Sequence, residues 1–182
     1  DDQGALPGIV PTSGWGFAWG NGPAWDHVLV NLPYYIYVLR GDLSAARECA
    51  PAFLRYVRYI TTRTRPDGLI AIGLGDWCAT HGTPKSPLEF TDSVMCYDIA
   101  TKASVLFDAM GMVPERDFCK TVAEGFRTAV RTHLVDFSNM VVAGNCQTSQ
   151  AMAIFYDVFE PGEKPAAFRR LLDFIHEKQD FM

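Results

Sequence analysis

Hydrophobic positions along this chain recur at helical spacing in six separate windows. Val28, Leu29, Leu32, Tyr35, Ile36 and Leu39 predict a helix over 26–40, ended by Gly41-Asp42. Phe53, Leu54, Val57 and Ile60 form the apolar stripe of a second, over 44–63, in which Pro51 is expected to bend the helix or split off its first turn. Val94, Met95, Ile99, Val105 and Leu106 predict a third over 91–110, stopped by Gly111. A fourth begins at Pro114, a residue suited to a helix start, and runs over 114–134. A fifth covers 147–159. A sixth covers 165–179, with Phe168, Leu171, Leu172 and Ile175 in register. Alternating patterns are weak: Ile9-Val10-Pro11 and Met140-Val141-Val142 are too short to build a sheet.

The connections alternate in length. Those at 41–43, 111–113 and 160–164 are short, while 64–90, 135–146 and the opening 1–25 are long. Short links join antiparallel neighbours. Short and long links then leave opposite ends of a helical array. The expected architecture is all-α: three successive antiparallel hairpins, with every long loop at one end. No internal sequence repeat supports a regular solenoid.

The long loops carry the distinctive chemistry. All four tryptophans fall in two of them, Ser13-Gly14-Trp15-Gly16-Phe17-Ala18-Trp19-Gly20-Asn21-Gly22-Pro23-Ala24-Trp25-Asp26 and Gly73-Leu74-Gly75-Asp76-Trp77. Indole is a broad apolar plate with one N–H donor. It suits the axial C–H face of a sugar ring, and a neighbouring carboxylate or amide suits the hydroxyls. Loops held by a rigid scaffold are also where binding residues concentrate. Taken singly, each indole is better accounted for as a cap on the helical core; it is their clustering on loops that favours a binding role for the group.

Composition narrows the field. With 48% hydrophobic and 20% charged residues over 182 positions, this is an ordinary folded domain and not a disordered chain. A net charge of −5 with no basic run leaves nothing to neutralise a row of phosphates, so nucleic acid is not an expected partner. The longest apolar runs are too short to span a membrane. Five cysteines, Cys49, Cys78, Cys96, Cys119 and Cys146, are widely spaced, with no zinc-type pairing. No histidine has a second histidine at helical spacing, so neither a metal nor another cofactor is expected. Near the loop face stand Asp26, Asp76, Glu89 and Asp92. Asp26 also suits a helix N-cap, and Asp92 a first-turn acid favoured by the helix dipole. Asp76, between Gly75 and Trp77, has the best claim as a ligand group, and equally suits hydrogen bonds to loop amides. Asp67-Gly68 reads as a turn.

An ordered set of short motifs resembles the bacterial α-L-rhamnosidases, inverting glycoside hydrolases that remove terminal rhamnose. The motifs are Asp2-Gln3-Gly4-Ala5-Leu6-Pro7, then Pro11 to Trp15, Gly22-Pro23-Ala24-Trp25, and Arg40-Gly41-Asp42. Pro66-Asp67-Gly68-Leu69, Gly75-Asp76-Trp77 and Thr83-Pro84 follow, and then Gln147-Thr148-Ser149-Gln150-Ala151-Met152-Ala153. The resemblance implies an (α/α)6 barrel, of which three hairpins are about half. It implies substrate-binding roles for Trp25 and Trp77, beside which we set Asp76. Where the family has Trp-Gly-Asp this chain has Trp25-Asp26-His27, so no polar role is carried onto Asp26 or His27. The resemblance puts the general acid upstream of the matched region and the general base downstream. The expected reading is therefore an internal fragment, 1–182, of a rhamnosidase catalytic domain. It acts on rhamnose-containing glycosides only within its parent, and its uncovered helix faces favour self-association. Two other readings fit the same residues: another (α/α)6 glycosidase acting on glucuronides or polysaccharides, or a non-catalytic helical module that docks a partner through its aromatic face.

Overall fold

The computed structural model describes residues 2–11, 20–77 and 84–177. Trp15, Trp19, Cys78, His81, Thr83 and the last predicted helical residues lie outside that set. Among the described residues the order is α1 (Pro23–Asp26), α2 (Val28–Arg40), α3 (Ser44–Thr62), α4 (Leu88–Ala109) and α5 (Val113–Leu134). There follow β1 (Val135–Asp136), β2 (Val141–Val142), α6 (Gln147–Phe155) and α7 (Lys164–Glu177).

The helices pair as three hairpins, α2/α3, α4/α5 and α6/α7, and α4 is the hub. It packs against α1, α2, α3, α5 and α6, and its buried residues run from Phe90 to Phe107, with Thr91, Asp92, Ser93 and Ser104 among them. Within α4 only Val105 and Asp108 are exposed, so the helix is enclosed along most of its length. Its neighbours are amphipathic: α3 buries Ala46, Ala50, Phe53, Val57 and Ile60 along one stripe, and α5 buries Cys119, Ala123, Phe126 and Val130. One apolar cluster joins Phe53, Ile60, Ile99, Phe107 and Phe126 between α3, α4 and α5. A second joins Phe90, Val94, Val130, Ala153 and Phe159 beneath the last hairpin.

The short links end as their glycines require. Gly41 and Gly111 take positive φ, 68° and 76°, where a side chain would be strained. The long segments meet one another at the other end. The Leu74 amide donates to the Asn21 carbonyl at 3.0 Å, and Gly144 lies against Pro87 and the Lys85 carbonyl. The expected gathering of long loops is therefore present.

Several boundaries differ from expectation. The first helix is broken: a single turn, α1, starts at Pro23 after Gly22 (φ 78°), and His27 separates it from α2. Helix α3 runs through Pro51 without shedding its first turn. Pro51 and Arg47, whose carbonyl loses its partner, both face solvent, where water satisfies the free acceptor. Helix α4 starts three residues early, directly after Pro87. Helix α6 stops at Phe155 because Asp157 adopts φ 56°. Met140-Val141-Val142 does find a partner, in a two-residue antiparallel ribbon pairing Val135 with Val142.

Candidate sugar-binding site

The two tryptophan loops are joined by a backbone crossing. Gly22 and Gly73 lie against each other so closely that a Cβ on Gly73 would stand 2.8 Å from the Asn21 carbonyl oxygen and 2.9 Å from the Gly22 Cα. Only glycine fits on either strand of such a crossing. Asn21 also donates from its side chain to the Gly8 carbonyl at 2.6 Å, tying in the start of the chain. Trp25 follows three residues after the crossing on one side and Trp77 four residues after it on the other. Both are exposed, at 38% and 60%, although buried indoles are the norm for core packing. Asp76 is half-buried, and its Oδ2 accepts the Ser86 amide at 3.4 Å, a long bond across the loop. Of its two expected roles, the loop-amide one is present in this form. The structure thus brings Trp25, Asp76 and Trp77 to one end of the helical array, on loops that touch.

Two carboxylates behave differently from their simplest sequence reading. Asp26 is not an N-cap; it lies within α1, 8% exposed, and its Oδ2 accepts the Tyr56 hydroxyl at 2.8 Å. Burial pushes its carboxyl up to about 6, the Tyr56 hydrogen bond opposes this, and the charge of Asp92 adds to it. Asp92 is not a solvent-facing first-turn acid. It is fully buried, and its Oδ2 accepts the amides of Ile72 and Gly73, both at 2.7 Å. Burial holds its pKa above the ordinary value despite those two bonds. Beside it, the Ser93 Oγ accepts the Ile70 amide at 3.0 Å. Asp26 and Asp92 are thus both buried, with their hydrogen bonds made inside the fold.

The signal that would have found this anchor is legible in retrospect. Thr91-Asp92-Ser93 interrupts an otherwise apolar stretch of α4, and all three are buried. Buried polar groups need partners, and a neighbouring loop backbone is the nearest source. Gln150 is a second case: fully buried, it donates to the Met140 and Ala167 carbonyls at 2.8 and 3.0 Å and accepts the Val142 amide at 3.1 Å.

The remaining candidates are peripheral. His27 is half-buried, which pulls its imidazole down, with Asp98 and Lys102 close by. Asp67 makes the expected turn, with its Oδ1 accepting the Leu69 amide at 3.0 Å and Gly68 at φ 81°. An open groove of about 470 Å³ between that turn and α5, lined by Asp67, Glu124, Thr128 and His133, contains neither described tryptophan. Cys96, Cys119 and Cys146 are buried free thiols and Cys49 is a half-buried one. Among the described residues no group of three His, Cys, Asp or Glu side chains could hold a metal ion. No helix among them is long and apolar enough to cross a membrane.

Residues 1–181 match the bacterial α-L-rhamnosidase six-hairpin glycosidase domain. The chain belongs to this family. Its helical hairpins are accordingly part of an (α/α) barrel, and the domain is a portion of a glycosidase catalytic unit. Solved structures agree on the fold. The chain is similar to Streptomyces avermitilis α-L-rhamnosidase complexed with L-rhamnose, with a TM-score of 0.85 and 21% identity, covering 98% of this chain and 17% of that one. It is similar to native α-L-rhamnosidase from Aspergillus terreus, with a TM-score of 0.84 and 15% identity, covering 99% and 22%. It is also similar to the α-L-rhamnosidase from Dictyoglumus thermophilum, with a TM-score of 0.84 and 19% identity, covering 99% and 21%. The chain therefore spans about a fifth of the length of these relatives. No curated protein matches the sequence.

Proposed function

We propose that this chain supplies part of the sugar-binding wall of an α-L-rhamnosidase that hydrolyses terminal α-L-rhamnose with inversion. In this reading Trp25 and Trp77 offer apolar plates to the sugar, and Asp76 offers a carboxylate to its hydroxyls. Inversion takes two placed carboxyls with a water between them, and the family resemblance implies that the general acid and base come from parts of the parent enzyme outside these residues. The observation that carries the reading is the pair of exposed indoles on two loops locked together by the Gly22/Gly73 crossing, in a chain of the rhamnosidase family. An exposed indole beside a carboxylate, held on a rigid crossing, fits a sugar better than it fits a core.

The apolar helix faces uncovered in the isolated chain also bear on how it behaves. Val28, Leu32, Tyr35 and Leu39 form an exposed apolar stripe on α2, and Phe155, Phe168 and Leu172 are exposed on the last hairpin. Contiguous apolar surface of this kind favours association, so the chain on its own is expected to self-associate.

The test is turnover of an aryl α-L-rhamnoside. The full-length enzyme is expected to release the aglycone and the 182-residue chain alone to release none. The chain alone should bind rhamnose no more tightly than millimolar, about −4 kcal/mol. Trp77→Ala in the full-length enzyme should weaken substrate use. Clear turnover by the isolated chain that disappears in Asp76→Asn would place the catalytic carboxylates within it and overturn this reading. Full-length turnover of a glucuronide in place of a rhamnoside would replace the substrate.

A further inference from the structure

The loop that leads into Trp77 is held by an unusual acceptor. The amides of Ile72 and Gly73 both end on one oxygen of Asp92, at 2.7 Å. The other oxygen, Oδ1, is buried and has no hydrogen-bond partner among the described residues. Ile70 is held by Ser93 and Leu74 by the Asn21 carbonyl, so one helix turn and one foreign loop together fix the backbone from Ile70 to Leu74. At Gly73 the two restraints meet. A Cβ there would lie 2.8 Å from the Asn21 carbonyl, 2.9 Å from Gly22 and 3.0 Å from Asp92 Oδ1.

A neutral amide or hydroxyl would stabilise this loop at lower desolvation cost. A buried carboxylate with one oxygen unpaired costs several times more than a neutral acceptor. Its compensation is geometric: ionised acceptors make short, strong bonds and hold two donors to a fixed point. That trade is expected where the position of a loop matters more than its stability.

We propose that Asp92 is a positioning residue for the sugar site, setting the Trp77 loop against the Trp25 loop through the Ile72 and Gly73 amides and the Gly22/Gly73 crossing. This rests on the rhamnosidase reading, which supplies the sugar. Asp92 does not touch substrate. Its effect passes through backbone, so its loss should weaken binding of ground and transition states together, raising KM and sparing kcat.

The experiment uses the full-length enzyme with Asp92→Ala, Asp92→Asn and Gly73→Ala, an aryl α-L-rhamnoside as substrate, and amide hydrogen exchange over 21–26 and 70–77. Asp92→Ala is expected to raise KM about tenfold, with kcat held within about threefold. Asn keeps an acceptor for both amides and should recover most of the loss. Exchange should quicken in 70–77 and, across the crossing, in 21–26. Gly73→Ala leaves the carboxylate in place but forces the loops apart, and should raise KM similarly. It carries the test if Asp92→Ala does not fold. Unchanged KM in folded Asp92→Ala or Gly73→Ala overturns the proposal. So does a fall in kcat at constant KM, or faster exchange confined to 70–77. If the wild-type enzyme turns over no α-L-rhamnoside, the functional reading falls. The exchange data then decide by themselves whether Asp92 holds the two loops together.

Discussion

Two buried polar side chains pin long loops in this domain, and they do so in opposite ways. Gln150, in α6, is neutral, and its amide is satisfied at both ends by Val142, Met140 and Ala167. It ties the β1–β2 loop to the last hairpin. Asp92, in α4, is a carboxyl group whose one oxygen takes two amides and whose other takes none among the described residues. It ties the tryptophan loop to the hub helix, and a second buried acid, Asp26, raises the charge density nearby. A fully satisfied neutral network rigidifies at little cost, whereas a partly satisfied charged one lowers stability and persists where geometry is at a premium. The contrast separates a loop held for stability from a loop held for position.

The largest expected effect breaks the neutral pin. Gln150→Ala removes the side-chain partner of the Val142 amide and of the Met140 and Ala167 carbonyls and opens a cavity, and should destabilise the domain by about 3–5 kcal/mol. Urea unfolding measures this, and a loss below about 1 kcal/mol would mean that water replaces the side chain without cost.

Asp26, the buried acid beside the charged pin, should respond with the opposite sign. Folding raises the Asp26 carboxyl from 3.8 to about 6. Below pH 3.8 the group is protonated in both states and costs nothing. Between pH 3.8 and 6 the unfolded chain ionises first, and stability falls as pH rises through the folded value. The full penalty above pH 6 is about 3 kcal/mol for a shift of about two units. Asp26→Asn should therefore stabilise the domain by up to about 3 kcal/mol at pH 8 and change little at pH 3.5. Thermal melts across that range check it, and a stability gain that does not depend on pH would show that Asp26 carries no buried charge.

Tyr56→Phe sharpens the same comparison. It removes the hydroxyl that Asp26 accepts, leaving a buried carboxylate with less compensation. A loss of about 1–3 kcal/mol at pH 8 is expected, shrinking as the carboxyl protonates. The double variant Asp26→Asn, Tyr56→Phe should lose less than Tyr56→Phe alone, because no charge remains to be stranded.

The smallest effect lies on the surface, where neither pin acts. Leu39, 78% exposed on the α2 stripe, should change stability by less than about 0.5 kcal/mol when replaced by Ser. Light scattering should nonetheless show weaker self-association of the isolated chain.

Much of this molecule is legible one residue at a time. The helical periods of α3 and α5, the glycine stops at Gly41 and Gly111, and the Asp67-Gly68 turn are local properties. Each depends on neighbours within a few residues, and each appears where the pattern puts it, within a few residues. The alternation of short and long links is local too, and it is enough to put the long loops, and with them Trp25 and Trp77, at one end. Helix behaviour at proline was less legible. Whether Pro51 breaks a helix depends on which side of it meets water, and that is a fact about packing.

The polar interior was decided by tertiary structure alone. Asp26, Asp92 and Gln150 each have side chains that serve at a cap, in a turn or on a solvated face. What assigns them is a partner far along the chain: Tyr56 is 30 residues from Asp26, and Gly73 is 19 from Asp92. The Gly22/Gly73 crossing is of the same kind, since neither glycine is in a motif that names the other. Periodicity reports how a residue faces its own helix, and it carries no information on which distant amide completes a buried carboxylate. Desolvation makes that choice, and it acts only once the loops and helices have closed over the group.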